Sequence, residues 1–258
     1  MTLSHQASEQ LTLDQSSTRL DSTRTWANTI LARINRIRQL EPGATVLDIG
    51  AAQGRFLIAC AENGFVAVGV EPWDEAREVA YQLAQRVGVD IDIRAGVAES
   101  LPFVSESCDL AHARFVIEHV DDPQAAFKEA CRVLKPGGVF WFSTTSSMCP
   151  RQKEIAKFPL FGWYPNRLKL RIMEYAKTNR PHLIGFTEKP ANHWFTPWKA
   201  RRMLRQAGFS RIYDRWDLRV SSEGGKIYQI ALKAIQSSAV TKTIADVFVP
   251  DCSYAAIK

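Results

Sequence analysis

Between residues 45 and 143, short apolar runs alternate with stretches of helical period. Val46-Leu47-Asp48-Ile49 is an apolar run that ends in an acid and passes into the small-residue turn Gly50-Ala51-Ala52-Gln53-Gly54. Arg55–Ala61 can begin a helix after it. Val66–Val70 reads as a second strand. From Asp74 to Val87, Ala76, Val79, Ala80, Leu83 and Val87 fall on one helical face, and Gly88 stands where a left-handed cap belongs. Val89–Arg94 and Cys108–Phe115 read as the third and fourth strands. Asp122 followed by Pro123 marks a helix start, with the helix continuing to Leu134. Lys135-Pro136-Gly137-Gly138 reads as its stop, and Val139–Ser143 as a fifth strand. Ahead of all this, Ile30, Ile34 and Ile37 recur at helical spacing and predict a leading helix over 25–40. Strands alternating with helices predict an α/β fold, a doubly wound and mostly parallel sheet with right-handed crossovers.

The alternation stops at Thr144. Residues 148–195 are aromatic, basic and without period. Thr196-Pro197 starts another helix, with Ala200, Met203, Leu204 and Ala207 as its stripe and Gly208 as its end. Phe209–Arg219 and Lys226–Ala234 read as two β runs joined at Ser221-Ser222-Glu223-Gly224-Gly225, a hairpin. The first 22 residues are polar and aperiodic and read as a mobile tail, and the last 23 carry no assignment.

Composition adds little to this until charge is mapped. Hydrophobic residues make up 46% and charged residues 23% of 258, an ordinary globular mixture. No apolar run approaches the ~20 residues that span a bilayer, and the N-terminus has no apolar signal segment. Five scattered cysteines without a Cys-x-x-Cys pair argue for a reducing compartment, hence a cytoplasmic protein, and against a metal or disulfide frame. The net charge of +6 is uneven: residues 151–219 hold sixteen Lys and Arg against five Asp and Glu, so the rest of the chain is net negative. A basic segment on an acidic body bears on partners rather than fold.

The turn Gly50-x-Ala52-x-Gly54 departs from a dinucleotide fingerprint, whose last glycine would fall at position 55, where Arg55 stands. It also lacks the Gly-Lys-Ser/Thr of a P-loop. Its small residues would admit a ligand without a pyrophosphate. Glu71 ends the second strand on the same sheet edge, where its carboxylate could accept hydrogen bonds from two ribose hydroxyls; the competing role is that of an exposed helix cap before Pro72.

With these residues stand Gly69-Val70-Glu71, Ala98-Glu99-x-Leu101-Pro102-Phe103, Cys108-Asp109-Leu110, Glu118-His119-Val120 and Arg132-Val133-Leu134-Lys135-Pro136-Gly137-Gly138. The ordered set resembles the class I S-adenosylmethionine-dependent methyltransferases, in the branch that includes quinone-biosynthesis and similar small-molecule enzymes. The resemblance covers residues 25–145 well and 196–235 loosely. It implies a Rossmann-like methyltransferase fold of seven strands, the last antiparallel, with an inserted substrate lid. It further implies S-adenosyl-L-methionine as cofactor. Gly50, Ala52 and Gly54 would approach its methionine part, Asp48 would orient its amino group, Glu71 would hold the ribose, and Ala98 and Glu99 would border the adenine. Ala52 stands where the family usually has glycine, and Val97 where an acid often meets the adenine amino group.

The resulting plan has a tail (1–24), a cofactor-binding core (25–147), a lid (148–195), the end of the core sheet (196–235) and a C-terminal tail (236–258). The expected reaction is methyl transfer to a small-molecule or lipid-like acceptor, through a hydroxyl oxygen. The lid offers Phe158, Phe161, Trp163, Tyr164, Phe186, Trp194, Phe195 and Trp198 as apolar walls, and Arg167, Arg171 and Arg180 as partners for an acidic acceptor. His193 and His119 are the candidate bases, each weighed against a merely structural role. His112, inside a strand, reads as packed. Phe158–Tyr164 with Arg167, Lys169 and Arg171 offers a route to peripheral membrane contact, against a packed cap with a solvated basic rim. No metal and no nucleic-acid partner is expected. Transfer to RNA or protein is the alternative the basic segment favours, although Arg114-Phe115-Val116-Ile117 is no Asn-Pro-Pro-Tyr-like amine clamp. A non-catalytic cofactor-binding scaffold is the other.

Overall fold

The computed structural model describes residues 3–152, 154–155, 157–184 and 190–258, with side chains from Leu13 onward apart from residues 15 and 16. A long helix, α1 (Leu3–Asn35), leads into β1 (Thr45–Ile49), α2 (Arg55–Glu62), β2 (Val66–Val70), α3 (Asp74–Val87), β3 (Asp92–Arg94) and β4 (Cys108–Arg114). Then come α4 (Pro123–Val133), β5 (Leu134–Thr145), α5 (Asn166–Asn179), α6 (Pro197–Ala207), β6 (Arg211–Asp214), α7 (Arg215–Leu218), α8 (Lys226–Gln236), α9 (Ala239–Asp246) and β7 (Asp251–Ile257). Three single-turn 3₁₀ segments, Phe161–Trp163, Pro181–Leu183 and Ser221–Glu223, lie in the connections.

The seven strands form one sheet in the order β3-β2-β1-β4-β5-β7-β6. Pairings of β1 with β2, β1 with β4, and β2 with β3 are parallel. β7 runs against β5, because Gly138 and Lys258 bond at one end (3.0 Å) and Ser146 and Pro250 at the other (3.0 Å). This is the Rossmann-like methyltransferase fold that the pattern and the resemblance imply. The chain steps outward from β1 to β3, then returns to the other side of β1 as β4. That reversal is the switch point at which open α/β sheets bind ligands, beyond the carboxyl ends of the strands.

Two compact units share the chain. One comprises residues 1–113, 128–140 and 257–258; the other comprises 114–127 and 141–256. In the first, β1 is buried from Val46 to Ile49. Asp122 caps α4 as read, accepting from the Gln124 and Ala125 N–H groups (2.8 and 3.2 Å), and Thr196 caps α6 by accepting from Lys199 N–H (3.2 Å). Among the described residues no helix is long and apolar enough to cross a membrane.

Several expectations are corrected. Residues 3–24 are helical and continuous with the predicted leading helix. Leu13 and Leu20 bury against Ile58, Val79, Leu83 and Ala84, so two leucines seven residues apart hold a stretch whose composition is that of a tail. α4 stops at Val133, just ahead of Lys135-Pro136-Gly137-Gly138, but these four residues already lie in β5, which begins at Leu134 rather than Val139. The expected hairpin is absent: Lys226–Gln236 is a helix, Phe209–Arg219 yields only a four-residue strand and a short helix, and the C-terminal stretch supplies β7. In the second unit Phe161 and Trp194 are buried in a core with Ile155, Met173, Ala176 and Ile184, and Phe195 is buried as well, so none of the three is exposed as a wall. Lys169 is buried too, its Nζ donating to Gly162 O (2.6 Å) over the Trp194 ring, so it is unavailable to a membrane surface. Phe186 lies outside the described residues.

Candidate functional site

In the first unit, the turn after β1 is built from three residues in the left-handed region: Gly50 (φ 72°), Ala52 (φ 47°) and Gly54 (φ 67°). Gly50 and Ala51 donate to Val70 O (2.8 and 3.0 Å), which ties the turn to the end of β2. Gly54 serves two ends: its φ disfavours any side chain, and a Cβ there would lie 2.8 Å from the Ala80 Cβ on α3. Ala52 bears the cost of a positive φ without glycine's freedom, and its N–H is fixed by Glu71 Oε2 at 2.8 Å.

Glu71 is buried and held from two sides. Oε2 accepts from Ala52 N–H, and Oε1 accepts from Trp73 N–H (3.2 Å). The exposed-cap role is excluded, since Trp73 occupies the cap position of α3 and the carboxylate is enclosed. Burial pushes its carboxyl above the usual range, an effect that the two backbone N–H groups oppose. Each carboxylate oxygen keeps a further lone pair, so the group is anchored yet still able to accept from a vicinal diol.

Asp48 and His112 are register partners on β1 and β4, the two strands that flank the switch point. His112 Nδ1 lies 2.5 Å from Asp48 Oδ1, and both side chains are buried. The imidazole stacks on Phe56 (centroids 3.9 Å apart, 24° between planes), with Trp26 edge-on at 5.3 Å. The sequence reading treated His112 as packing; it is the residue that orients the Asp48 carboxylate. The signal was available in the register, because two polar residues inside buried neighbouring strands must find each other.

The 98–103 loop is clamped from α4. Glu129 accepts from Leu101 N–H (2.8 Å), and Arg132 donates to Leu101 O and Phe103 O (3.1 and 2.9 Å) while pairing with Glu129. Ala98 is buried within this loop, Glu99 is half-buried and Val97 is exposed.

The second unit carries the two candidate bases and a carboxyl that sequence reasoning passed over. Glu118 is enclosed, accepts from Thr144 Oγ1 (2.9 Å), and has its carboxyl pushed up to about 8, chiefly by burial. Its main-chain oxygen accepts from both Asn192 and His193 N–H (2.9 and 3.2 Å). The His193 ring bonds to the backbone of Val120 and Asp121, while its Nε2 is enclosed without a partner among the described residues. Burial, then the Lys199 charge, pull its pKa below the ordinary histidine value. His119 is half-buried, with its N–H on Val116 O (2.8 Å) in the same turn. Asp48, Gly50, Ala52, Gly54, Glu71, Ala98 and Glu99 thus fall in one unit, and His119 and His193 in the other.

A left-handed small-residue turn stands at the switch point, bonded to an anchored acid at the end of the next strand, on the sheet edge where open α/β folds bind their ligands. Residues 47–142 match the family model described as Methyltransferase domain, and that stretch is a class I S-adenosylmethionine-dependent methyltransferase domain. Among relatives, the ubiquinone biosynthesis O-methyltransferase of Paramagnetospirillum magneticum is 36% identical over 102 residues, 40% of this chain and 41% of that protein. A methyltransferase of Thermotoga maritima, titled a possible histamine N-methyltransferase, superposes with a TM-score of 0.52 at 20% identity over 95% of each chain. A phosphoethanolamine N-methyltransferase of Haemonchus contortus in complex with S-adenosyl-L-methionine gives a TM-score of 0.57 at 18% identity, over 90% of this chain and 52% of that one. The chain spans 38% to 59% of the length of the first curated relatives it matches.

Proposed function

We propose that the protein is an S-adenosylmethionine-dependent methyltransferase acting on a small-molecule or lipid-like acceptor through a hydroxyl oxygen. The observation that carries the reading is the doubly anchored, buried Glu71 opposite the Gly50–Gly54 turn. When bound, the cofactor supplies an electrophilic methyl group on a sulfonium with a good leaving group. Glu71 accepts hydrogen bonds from its ribose, Asp48 accepts from its amino group, and the Gly50, Ala52 and Gly54 main chain allows close approach. Ala98 and Glu99 border the adenine. The second unit selects the acceptor, with exposed Arg167, Arg171 and Arg180 available to an acidic one. A neutral His193 receives the hydroxyl proton, a contribution worth about 10²–10⁴ in rate, while holding both reactants together contributes up to roughly 7–11 kcal/mol. A cytoplasmic location accompanies this reading, supported by five free, buried cysteines.

Calorimetric titration with S-adenosylmethionine tests the first part, and transfer of labelled methyl to panels of small hydroxyl compounds, RNA and proteins tests the second. Absence of binding overturns the function. Binding with label on RNA or protein alone overturns the acceptor class, and binding without transfer to any panel leaves a cofactor-binding scaffold.

A further inference from the structure

The helical hairpin formed by α8 and α9, joined through Ser237 and Ser238, turns its apolar side outward. α8 spans eleven residues and buries only Leu232 fully. Ile227, Ile230, Ala231 and Ala234 recur at helical spacing on its exposed side, with Ile227 86% and Ile230 71% exposed. On α9 and just beyond it, Val240 (68%), Ile244 (56%) and Phe248 (79%) follow at four-residue intervals. Five large apolar side chains at such exposure, on two consecutive helices, mark a contact surface rather than scattered surface residues.

Charge decides what the surface contacts. Lys226 and Lys233 flank the α8 stripe, are exposed, and make no ion pair among the described residues. α8 contains no acid. The acid of α9, Asp246, accepts from Trp216 Nε1 (2.8 Å), and Lys242 is paired with Asp214 and Asp217, so both are engaged within their own unit. Glu223, ahead of α8, accepts from the Tyr228 hydroxyl (3.2 Å). The outward charge of the two helices is therefore positive. Aliphatic and aromatic side chains bracketed by unpaired lysines fit the boundary between acyl chains and anionic headgroups. They fit a second copy of the chain poorly, because a two-fold contact would set lysine against lysine.

We propose that the α8–α9 hairpin docks the protein on an anionic lipid surface. It takes the place of the Phe158–Arg171 route, where Lys169 is buried. The inference rests on the exposed face alone and stands apart from methyl transfer.

Flotation of the full chain with phosphatidylcholine vesicles, with and without phosphatidylglycerol, tests it. Binding is expected to the mixed vesicles and to fall with salt. Lys226→Gln with Lys233→Gln should lower the partition coefficient roughly thirtyfold at low salt, about fivefold for each lysine near such a surface. Ile227→Ser with Ile230→Ser should abolish binding in either medium. Both pairs are on the surface and should keep the wild-type melting temperature and cofactor affinity. No binding to mixed vesicles, equal binding to neutral ones, or unchanged binding by either variant overturns the proposal. Self-association that Ile227→Ser with Ile230→Ser removes, without vesicle binding, assigns the face to a second copy and overturns it as well.

Discussion

His112 Nδ1 holds Asp48 Oδ1 at 2.5 Å across the two strands that flank the switch point. The carboxylate can rotate about two bonds, whereas the imidazole cannot move without unstacking from Phe56. Asp48 is thereby presented in one orientation. Removing its partner should weaken cofactor binding by about 1.5–3 kcal/mol, the worth of one hydrogen bond to a charged group. The expected series in titration is wild type tighter than His112→Asn, and His112→Asn tighter than His112→Ala, because the asparagine amide can donate near the Nδ1 position. A purely packing role would leave the two variants equal in affinity.

Glu71→Gln should weaken S-adenosylmethionine binding by about 1.5–3 kcal/mol, since a charged acceptor is replaced by a neutral one. A pH titration adds a sign. The Glu71 carboxyl titrates above its ordinary value because it is buried. Affinity should therefore decline as pH falls, starting at a higher pH than an exposed glutamate would give, and Glu71→Gln should show no such limb.

Gly54→Ala should cost about 1–3 kcal/mol of stability, a scale set by backbone strain and overpacking together. The added Cβ would lie 2.8 Å from Ala80 Cβ and 3.2 Å from the Ile91 methyl, at a φ that alanine avoids. Chemical denaturation measures this directly. Gly54→Ala with the stability of wild type would mean that the turn adopts another conformation.

Glu118 has its pKa raised to about 8 by burial, against 4.5 for an ordinary glutamate. The folded state then binds the extra proton between those values, so wild-type stability should fall as pH rises through that window, by about 1.4 kcal/mol per pH unit at most. Glu118→Gln keeps the shape and removes the proton. Its stability should be flat across the same range and exceed that of wild type at the alkaline end. Parallel stability curves for the two proteins would contradict a protonated Glu118.

If His193 takes the acceptor's proton, its lowered pKa places the acid limb of turnover below 6.5, because the ring must be neutral to act. His193→Ala should reduce turnover at saturation steeply, recover partly at high pH, and bind cofactor normally. Near-normal saturated turnover would leave the ring a structural role, bonding to the backbone of Val120 and Asp121.

The order of elements from β1 to α4 was legible because several helix ends have their own chemical marker: Gly54 before α2, Gly88 after α3, and Asp122-Pro123 at α4. The carboxyl end was not. Ile227, Tyr228, Ile230 and Ile235 favour strands by propensity, yet Lys226–Gln236 is helical, with Leu232 turned inward and β-branched residues left facing water. Ala255 and Ala256 carry little strand preference, so β7 is defined by its buried pairing and not by its composition. At the site, Glu71 and the turn were readable from spacing. The His112–Asp48 pair needed strand register, and Glu118 needed burial, neither of which a linear pattern contains.

The sheet order has a consequence for synthesis. β6 is translated before β7, yet in the sheet β7 lies between β5 and β6. β6 therefore has no strand to join until Asp251–Ile257 has left the ribosome, and until then β5 presents an open row of backbone donors and acceptors. A message cut short anywhere between β6 and β7 would release a chain with the glycine turn and Glu71 encoded intact but with a long, apolar strand edge bare, the kind of edge that recruits other chains. Loss-of-function truncations in this stretch should thus appear as insoluble protein rather than as soluble protein that merely lacks activity.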